Sequence, residues 1–395
     1  MPEMQDKDKG GMEVTQNKSM KDNPLRKLYE AGQSPWYDNI ERRLFKSGEF
    51  RKLIEEYGIV GVTSNPTIFD RAISSSNEYD ERIKALARQG LSSHEIYDEL
   101  AIEDIGLAAD MLMEVYKKTN GLDGYVSIEV LPEYAHDPGK TIEYARKIFQ
   151  WLDRKNILIK VPGTREALPA ITELIAEGIN VNVTLLFSLA QYEAAAMAYI
   201  EGLKKRLRGE ERLDEVVSVA SVFVSRIDTK IDKMLDNLAS GTESKMGSRH
   251  ILDMRGKAAT ANSKMIYKRF KEIFSGRDFG CLAEKGAKVQ RVLWASTSAK
   301  NPYYRDVKYV EEIIGADTIN TMPHQTLVAF YDHGIVKPSV EEALADVPRF
   351  LDGLQPYGID VNKVCEELQR EGIKAFVGSF DSLIGSIKKK SELLR

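Results

Sequence analysis

Short apolar runs alternate with longer segments of helical period along most of the chain. The runs are "GIVGVTS" (58–64), "YVSIEVL" (125–131), "NILIKVP" (156–162), "NVNVTLLF" (180–187), "VVSVASVFVS" (216–225) and "RVLWAST" (291–297), with a weaker "DTINTM" (317–322). "SPWYD" (34–38) adds a short opening strand. About eight strands separated by helices predict a parallel sheet, because parallel neighbours need a crossover long enough to hold a helix. Gly178 reads as a helix stop, and Ser188 with Gln191 as a capping box that opens a helix directly after a strand. The stretch from Arg226 to Val289 is mostly helical and too long for a simple crossover. The segment 338–391 is expected to be helical throughout and to add no strand.

Side chains of a strand alternate between its two faces. Val126, Ile128 and Val130 share one face, with Ser127 and Glu129 on the other. Val181, Val183 and Leu185 oppose Asn180, Asn182 and Thr184. Ile157, Ile159 and Val161 oppose Leu158, Lys160 and Pro162. Val60 and Val62 oppose Gly61, Thr63 and Asn65, and Ala220, Val222 and Val224 oppose Ser221, Phe223 and Ser225. In all five strands one face is aliphatic and the other carries polar groups toward the C-terminal end. A doubly wound sheet covers both faces with helices and makes both apolar. A closed barrel has helices outside and a functional mouth at the strands' C-terminal ends. The fold class is therefore α/β, a (β/α)8 TIM barrel with additional helices, notably at the C-terminus. Lys160 points inward near its mouth. Buried polar groups need partners, so Glu129, Lys160, Asn182, Thr184 and Asn65 are expected to form one network.

The 395 residues, 43% hydrophobic and 29% charged, have ordinary globular composition. A net charge of −4 from well-mixed residues shows no basic face for nucleic acid. Two distant cysteines make no disulfide framework, so a cytoplasmic location is expected. The five histidines show no metal-ligand spacing. Residues 1–23 are polar and read as a disordered tail, and 24–395 as a single domain. No apolar run is long enough to span a bilayer, so no membrane partner is expected.

Each singled-out residue has a plainer reading. A strand lysine commonly keeps its head in water at an edge. Asn65 before Pro66 is a natural helix N-cap. Glu129 neutralises Lys160 as a buried pair in one reading. Ser296 reads as a turn residue, and Arg226 as a partner of Asp228 or Asp232.

The ordered motifs "GVTSNPTIF", "SIEVLPEYAHD", "IKVPGT", "NVNVTLLFSLAQY", "SVFVSRID" and "VLWASTSAKNP" resemble the transaldolases, in arrangement over about residues 24–395. The resemblance implies a single-domain (β/α)8 enzyme of the Schiff-base aldolase group. Such an enzyme transfers a dihydroxyacetone unit between sugar phosphates in the pentose phosphate pathway, with no metal or organic cofactor. It implies Lys160 as the Schiff-base lysine and Glu129 as the acid/base group, acting through a water with Thr184. It implies Asn65 and Asn182 as holders of the donor hydroxyls and the enamine. Asp38 takes the proton of the donor's C4 hydroxyl in this reading. The resemblance also implies Ser221 and Phe223 as the pocket wall, and Arg226 and Ser296 as part of a phosphate site. Many transaldolases carry an arginine two residues after the serine matching Ser296; here that place is Ser298, and Lys300 could supply the charge. A homodimer is compatible with the resemblance. Two rivals stand beside this reading: a fructose-6-phosphate aldolase that releases dihydroxyacetone, and a barrel that only binds a phosphosugar.

Imine chemistry needs a neutral amine, whereas the reference pKa of lysine is about 10.4. Burial favours the neutral form and an ionised Glu129 opposes it. Glu129 is therefore expected to be partly protonated or to act through water.

Overall fold

Eight parallel strands close into one barrel in chain order, each paired with the next and the last with the first. The computed structural model describes residues 22–394. The strands are β1 Gln33–Tyr37, β2 Val62–Thr63, β3 Val126–Glu129, β4 Ile157–Pro162, β5 Val181–Leu186, β6 Ser218–Phe223, β7 Arg291–Ala295 and β8 Thr318–Met322. Every expected strand is present, including the weak first and last ones. The aliphatic face packs outward against the helices: Val126, Ile128, Ile157, Ile159, Val161, Val181, Val183, Ala220 and Val222 are all buried.

The helix boundaries follow the local chemistry. Ser188 and Gln191 exchange both hydrogen bonds of a capping box and open the helix Leu189–Arg208 straight after β5. Asn65 caps the helix Pro66–Ser74, and Pro66 occupies its first turn. Gly178 has φ +86 just beyond the helix Leu168–Ala176, as a helix stop requires. Four helices lie between β6 and β7, from Ser225 to Ala283.

Three expectations need correction. Of the expected tail, residues 1–21 lie outside the described residues, but Asn23 is buried, caps the helix Pro24–Glu30 and donates to Glu56 O and Tyr57 O. The segment 338–391 is not helical throughout. Short turns and helical pieces occupy 338–360, and one helix of 33 residues, Val361–Leu393, follows. Pro338, Pro348, Pro356 and the positive-φ Gly358 interrupt the earlier part. Leu185 leaves the outward row predicted for it. The β5–β6 register slips between Val183 and Leu186, Leu185 takes φ +58, and Leu186 pairs with Val222 instead.

The barrel interior is polar at both ends. At the closed end, Asp123 accepts from Ser34 Oγ (2.8 Å), Trp36 Nε1 (3.0 Å) and Arg291 (3.2 Å). A Cβ at Gly61 would lie 2.3 Å from the Trp36 ring, so only glycine leaves room for the indole beside β2.

Candidate active site

The other end of the barrel opens into a cavity of about 1200 Å³. Lys160, Asp38, Asn65, Thr184, Ser221 and Phe223 line it, and Arg226, Ser296, Ser298 and Lys300 form one side. Glu129 and Asn182 sit behind Lys160, on the strands that flank it.

Lys160 and Glu129 are register partners on β4 and β3, and Lys160 and Asn182 are partners across β4 and β5. Adjacent strands thus bring residues distant in sequence to one level of the barrel. Lys160 Nζ is 3.0 Å from Glu129 Oε2, with the two side chains 5% and 3% exposed. Lys160 Nζ also donates to Ser64 O at 2.8 Å. Burial pushes the Glu129 carboxyl above its ordinary range, Lys160 pulls it back, and Asp38 adds to the rise. Glu129 is therefore not a carboxylate fully committed to an ion pair. Neither of its oxygens has a well-aligned hydrogen-bond partner among the protein atoms, and nor does the buried Thr184 Oγ1. Two buried groups on the strands either side of β4, each with unspent hydrogen-bonding capacity, mark a place built for something besides packing.

The expected single network is broken up: Glu129 and Lys160 pair, while Asn182 and Asn65 take other partners and Thr184 Oγ1 has none among the protein atoms. Asn182 donates to Ser127 Oγ at 3.1 Å and accepts from Ser221 Oγ at 2.6 Å, so both serines fix its amide. Asp38 accepts from Thr63 Oγ1 at 2.7 Å; that proton is spent, so Thr321 must donate to Thr63 across their 2.7 Å contact. Burial raises the Asp38 pKa, opposed by the Thr63 hydrogen bond and by the Lys160 charge. Asn65 joins neither Glu129 nor Lys160. Its Oδ1 accepts from Ile68 N at 3.1 Å as the helix cap, leaving its amide hydrogens for a ligand.

Arg226 opens the helix Ser225–Ser240 but pairs with neither Asp228 nor Asp232. Those carboxylates accept from Ala259 N and Tyr309 Oη, and from Gly256 N and Tyr304 Oη, respectively. The guanidinium instead stands 5.4 Å from the centre of the Phe223 ring. Lys300 Nζ donates to Ser298 Oγ at 2.8 Å. Among the described residues, neither Arg226 nor Lys300 forms an ion pair. Burial lowers the pKa of each, and Arg226 lowers that of Lys300 further. Two cations kept close, neither held in an ion pair and only Arg226 touched at longer range by Glu371, make a site for an anion. Ser296, at φ +54, turns the chain after β7, and its Oγ lies 3.2 Å from Ser225 Oγ.

Thr63, Ser127, Thr321 and the Ser64 carbonyl were not singled out in the sequence. Thr63 and Ser127 do stand on the inward polar faces, so alternation carried a signal for them. The backbone carbonyl of Ser64 carried none. No group of three or more His, Cys, Asp or Glu is placed to hold a metal among the described residues. None of their helices is long and apolar enough to cross a membrane.

A sequence model of the transaldolase/fructose-6-phosphate aldolase family matches residues 35–387. The chain is 47% identical over 375 residues to transaldolase 2 of Nostoc sp. (strain PCC 7120), covering 94% of this chain and 98% of that protein. It is 44% identical over 374 residues to a transaldolase of Trichodesmium erythraeum, covering 94% and 98%. Against a transaldolase of Saccharopolyspora erythraea the identity is 41% over 367 residues, covering 93% and 97%.

Proposed function

The chain belongs to the transaldolase/fructose-6-phosphate aldolase family, and on that premise we propose how its site carries out transaldolase chemistry. The enzyme is a transferase of the pentose phosphate pathway. It moves a dihydroxyacetone unit from sedoheptulose 7-phosphate to glyceraldehyde 3-phosphate, giving erythrose 4-phosphate and fructose 6-phosphate. The observation that carries the assignment of the site is the buried Lys160 amine beside Glu129 at the cavity floor.

Lys160 Nζ attacks the donor's C2 carbonyl, and water leaves to give an imine. Protons move between Glu129 and the carbinolamine through a water held by Thr184; the unspent hydrogen-bonding capacity of both groups supports this role. Asp38 removes the proton of the C4 hydroxyl. The C3–C4 bond breaks, an aldose phosphate departs, and the electron pair passes into the imine to leave an enamine on Lys160. The amides of Asn65 and Asn182 hold that enamine, and the Phe223 ring keeps water away without offering a proton. The acceptor aldehyde enters, the steps reverse, and hydrolysis frees Lys160. Arg226, Ser296 and Lys300 hold the phosphate of each sugar in turn.

Borohydride added with fructose 6-phosphate tests the reading. The expected result is a reduced adduct located on Lys160 by peptide mass. Binding without an adduct leaves only a phosphosugar-binding barrel. Turnover of fructose 6-phosphate with no acceptor aldehyde marks an aldolase rather than a transferase.

A further inference from the structure

We propose that Gln369, on the C-terminal helix Val361–Leu393, is a positioning residue for Lys160 and Thr184; the proposal rests on the Schiff-base reading above. Its Nε2 donates to Gly163 O and to Leu185 O, each at 3.0 Å. Gly163 lies three residues beyond Lys160, and Leu185 directly follows Thr184. One side-chain amide therefore joins the ends of the two strands that carry the amine and the hydroxyl.

Those strand ends need such a tie. β4 and β5 stay in register through Pro162 and Thr184, and Gly163 N donates to Thr184 O at 2.7 Å. At the next residue the order fails: Leu185 turns to φ +58 and the β5–β6 register slips by one. A branched residue in the left-handed region persists only where its surroundings hold it there. Gln369 takes the place of the next rung between β4 and β5.

The helix is shaped to approach this point. A Cβ at Gly372, one turn past Gln369, would lie 3.0 Å from Leu185 Cδ2 and 3.8 Å from an Arg226 guanidinium nitrogen. Phe376, a further turn along, lines the active-site cavity. The helix is anchored elsewhere by Glu367 and Glu371 on Lys230 and by Lys390 on Asp80. Removing the Gln369 amide thus releases the strand ends without releasing the helix. The Thr184 hydroxyl then loses its fixed position relative to Glu129 and Lys160, while the phosphate-holding side chains stay in place.

Gln369→Met keeps length and shape and removes both donors. We expect kcat to fall about 10- to 100-fold, the cost of a misplacement near 1 Å, with KM for fructose 6-phosphate within about twofold. The rate of borohydride trapping on Lys160 falls in parallel, and the melting temperature stays near wild type. Glu367→Gln, which removes an outer ion pair of the same helix, leaves kcat unchanged. An unchanged kcat in Gln369→Met overturns the proposal. So does a rise in KM alone, an equal loss in Glu367→Gln, or a loss that tracks a lowered melting temperature. If Gln369→Met does not fold, Gln369→Glu keeps the side-chain shape and replaces the donating amide, and is expected to lower kcat selectively; an unchanged kcat there overturns the proposal as well. Absence of an adduct in the wild-type chain defeats the Schiff-base reading itself. An adduct formed at equal rates by wild type and Gln369→Met defeats the Gln369 proposal alone.

Discussion

Lys160 and Glu129 face each other across β4 and β3 at 3.0 Å, both nearly inaccessible to water. Burial raises the Glu129 pKa and Lys160 opposes the rise, so the carboxyl is placed to take up and release protons beside the amine.

Replacing Glu129 with Gln keeps the shape and removes the titratable group. The expected loss in kcat is about 10²- to 10⁴-fold, the usual worth of a general acid–base group. Because its pKa is raised above 4.5, the acidic limb of the wild-type kcat profile should lie above that value. Activity falls as pH drops through the limb, and in the variant the Glu129 contribution is lost, leaving only the limb set by Asp38. A Glu129→Gln profile that matches wild type would sink the role.

The unpaired cations of the anion site make a separate prediction. Arg226→Ala should lower kcat/KM for fructose 6-phosphate about 10- to 100-fold, since hydrogen bonds to charged groups are worth about 1.5–3 kcal/mol. Lys300→Met should act in the same direction. Neither should affect an unphosphorylated donor. Adding Ser298→Arg to Lys300→Met should recover part of the loss, because it puts a guanidinium beside the cavity at the position Lys300 Nζ now contacts. Steady-state kinetics with phosphorylated and unphosphorylated donors checks all four statements.

Asp228 is fully buried, and its pKa is pushed up from 3.8 to about 6, chiefly by burial. A carboxyl whose folded pKa exceeds its unfolded value binds more protons when folded. Its contribution to stability is complete below about pH 4 and is lost as pH rises through about 6, by about 3 kcal/mol in all. Asp228→Asn can still accept from Ala259 N and has no charge to bury. The stability of Asp228→Asn relative to wild type should therefore grow from pH 4 to pH 6 and then level off. Urea unfolding of both chains across that range measures it.

At the closed end of the barrel, Asp123→Ala should cost about 3–5 kcal/mol, because it leaves Arg291 buried without its counter-charge. The kcat of the folded fraction should be unchanged, since this pair lies at the opposite end from Lys160. Thermal unfolding and active-site titration separate the two effects.

The barrel was legible because alternation in five strands is a local signal, and one wholly aliphatic face has one cheap destination, under a layer of helices. Lys160, Glu129, Asn182 and Thr184 were legible for the same reason. Asp38 was harder to see, since "SPWYD" is short and its strand is fixed by pairing with β8 rather than by its own sequence. The bulge at Leu185 was invisible, because strict alternation has no term for a register slip. The plainer reading of Arg226, a partner for Asp228 or Asp232 chosen by nearness in sequence, does not hold: those carboxylates are drawn away by Tyr309 and Tyr304, which come from the helix and loop after β7.

The sequence by itself determined which residues face inward and which chemistry they carry, because the two faces of a strand differ in what they can bury. Only the tertiary structure decided the pairings: Lys160 on Ser64 O, Asn182 between Ser127 and Ser221, Gln369 across the ends of β4 and β5. Each joins elements far apart in the chain, and a hydrogen bond depends on where closure of the barrel leaves two atoms, which no local pattern encodes.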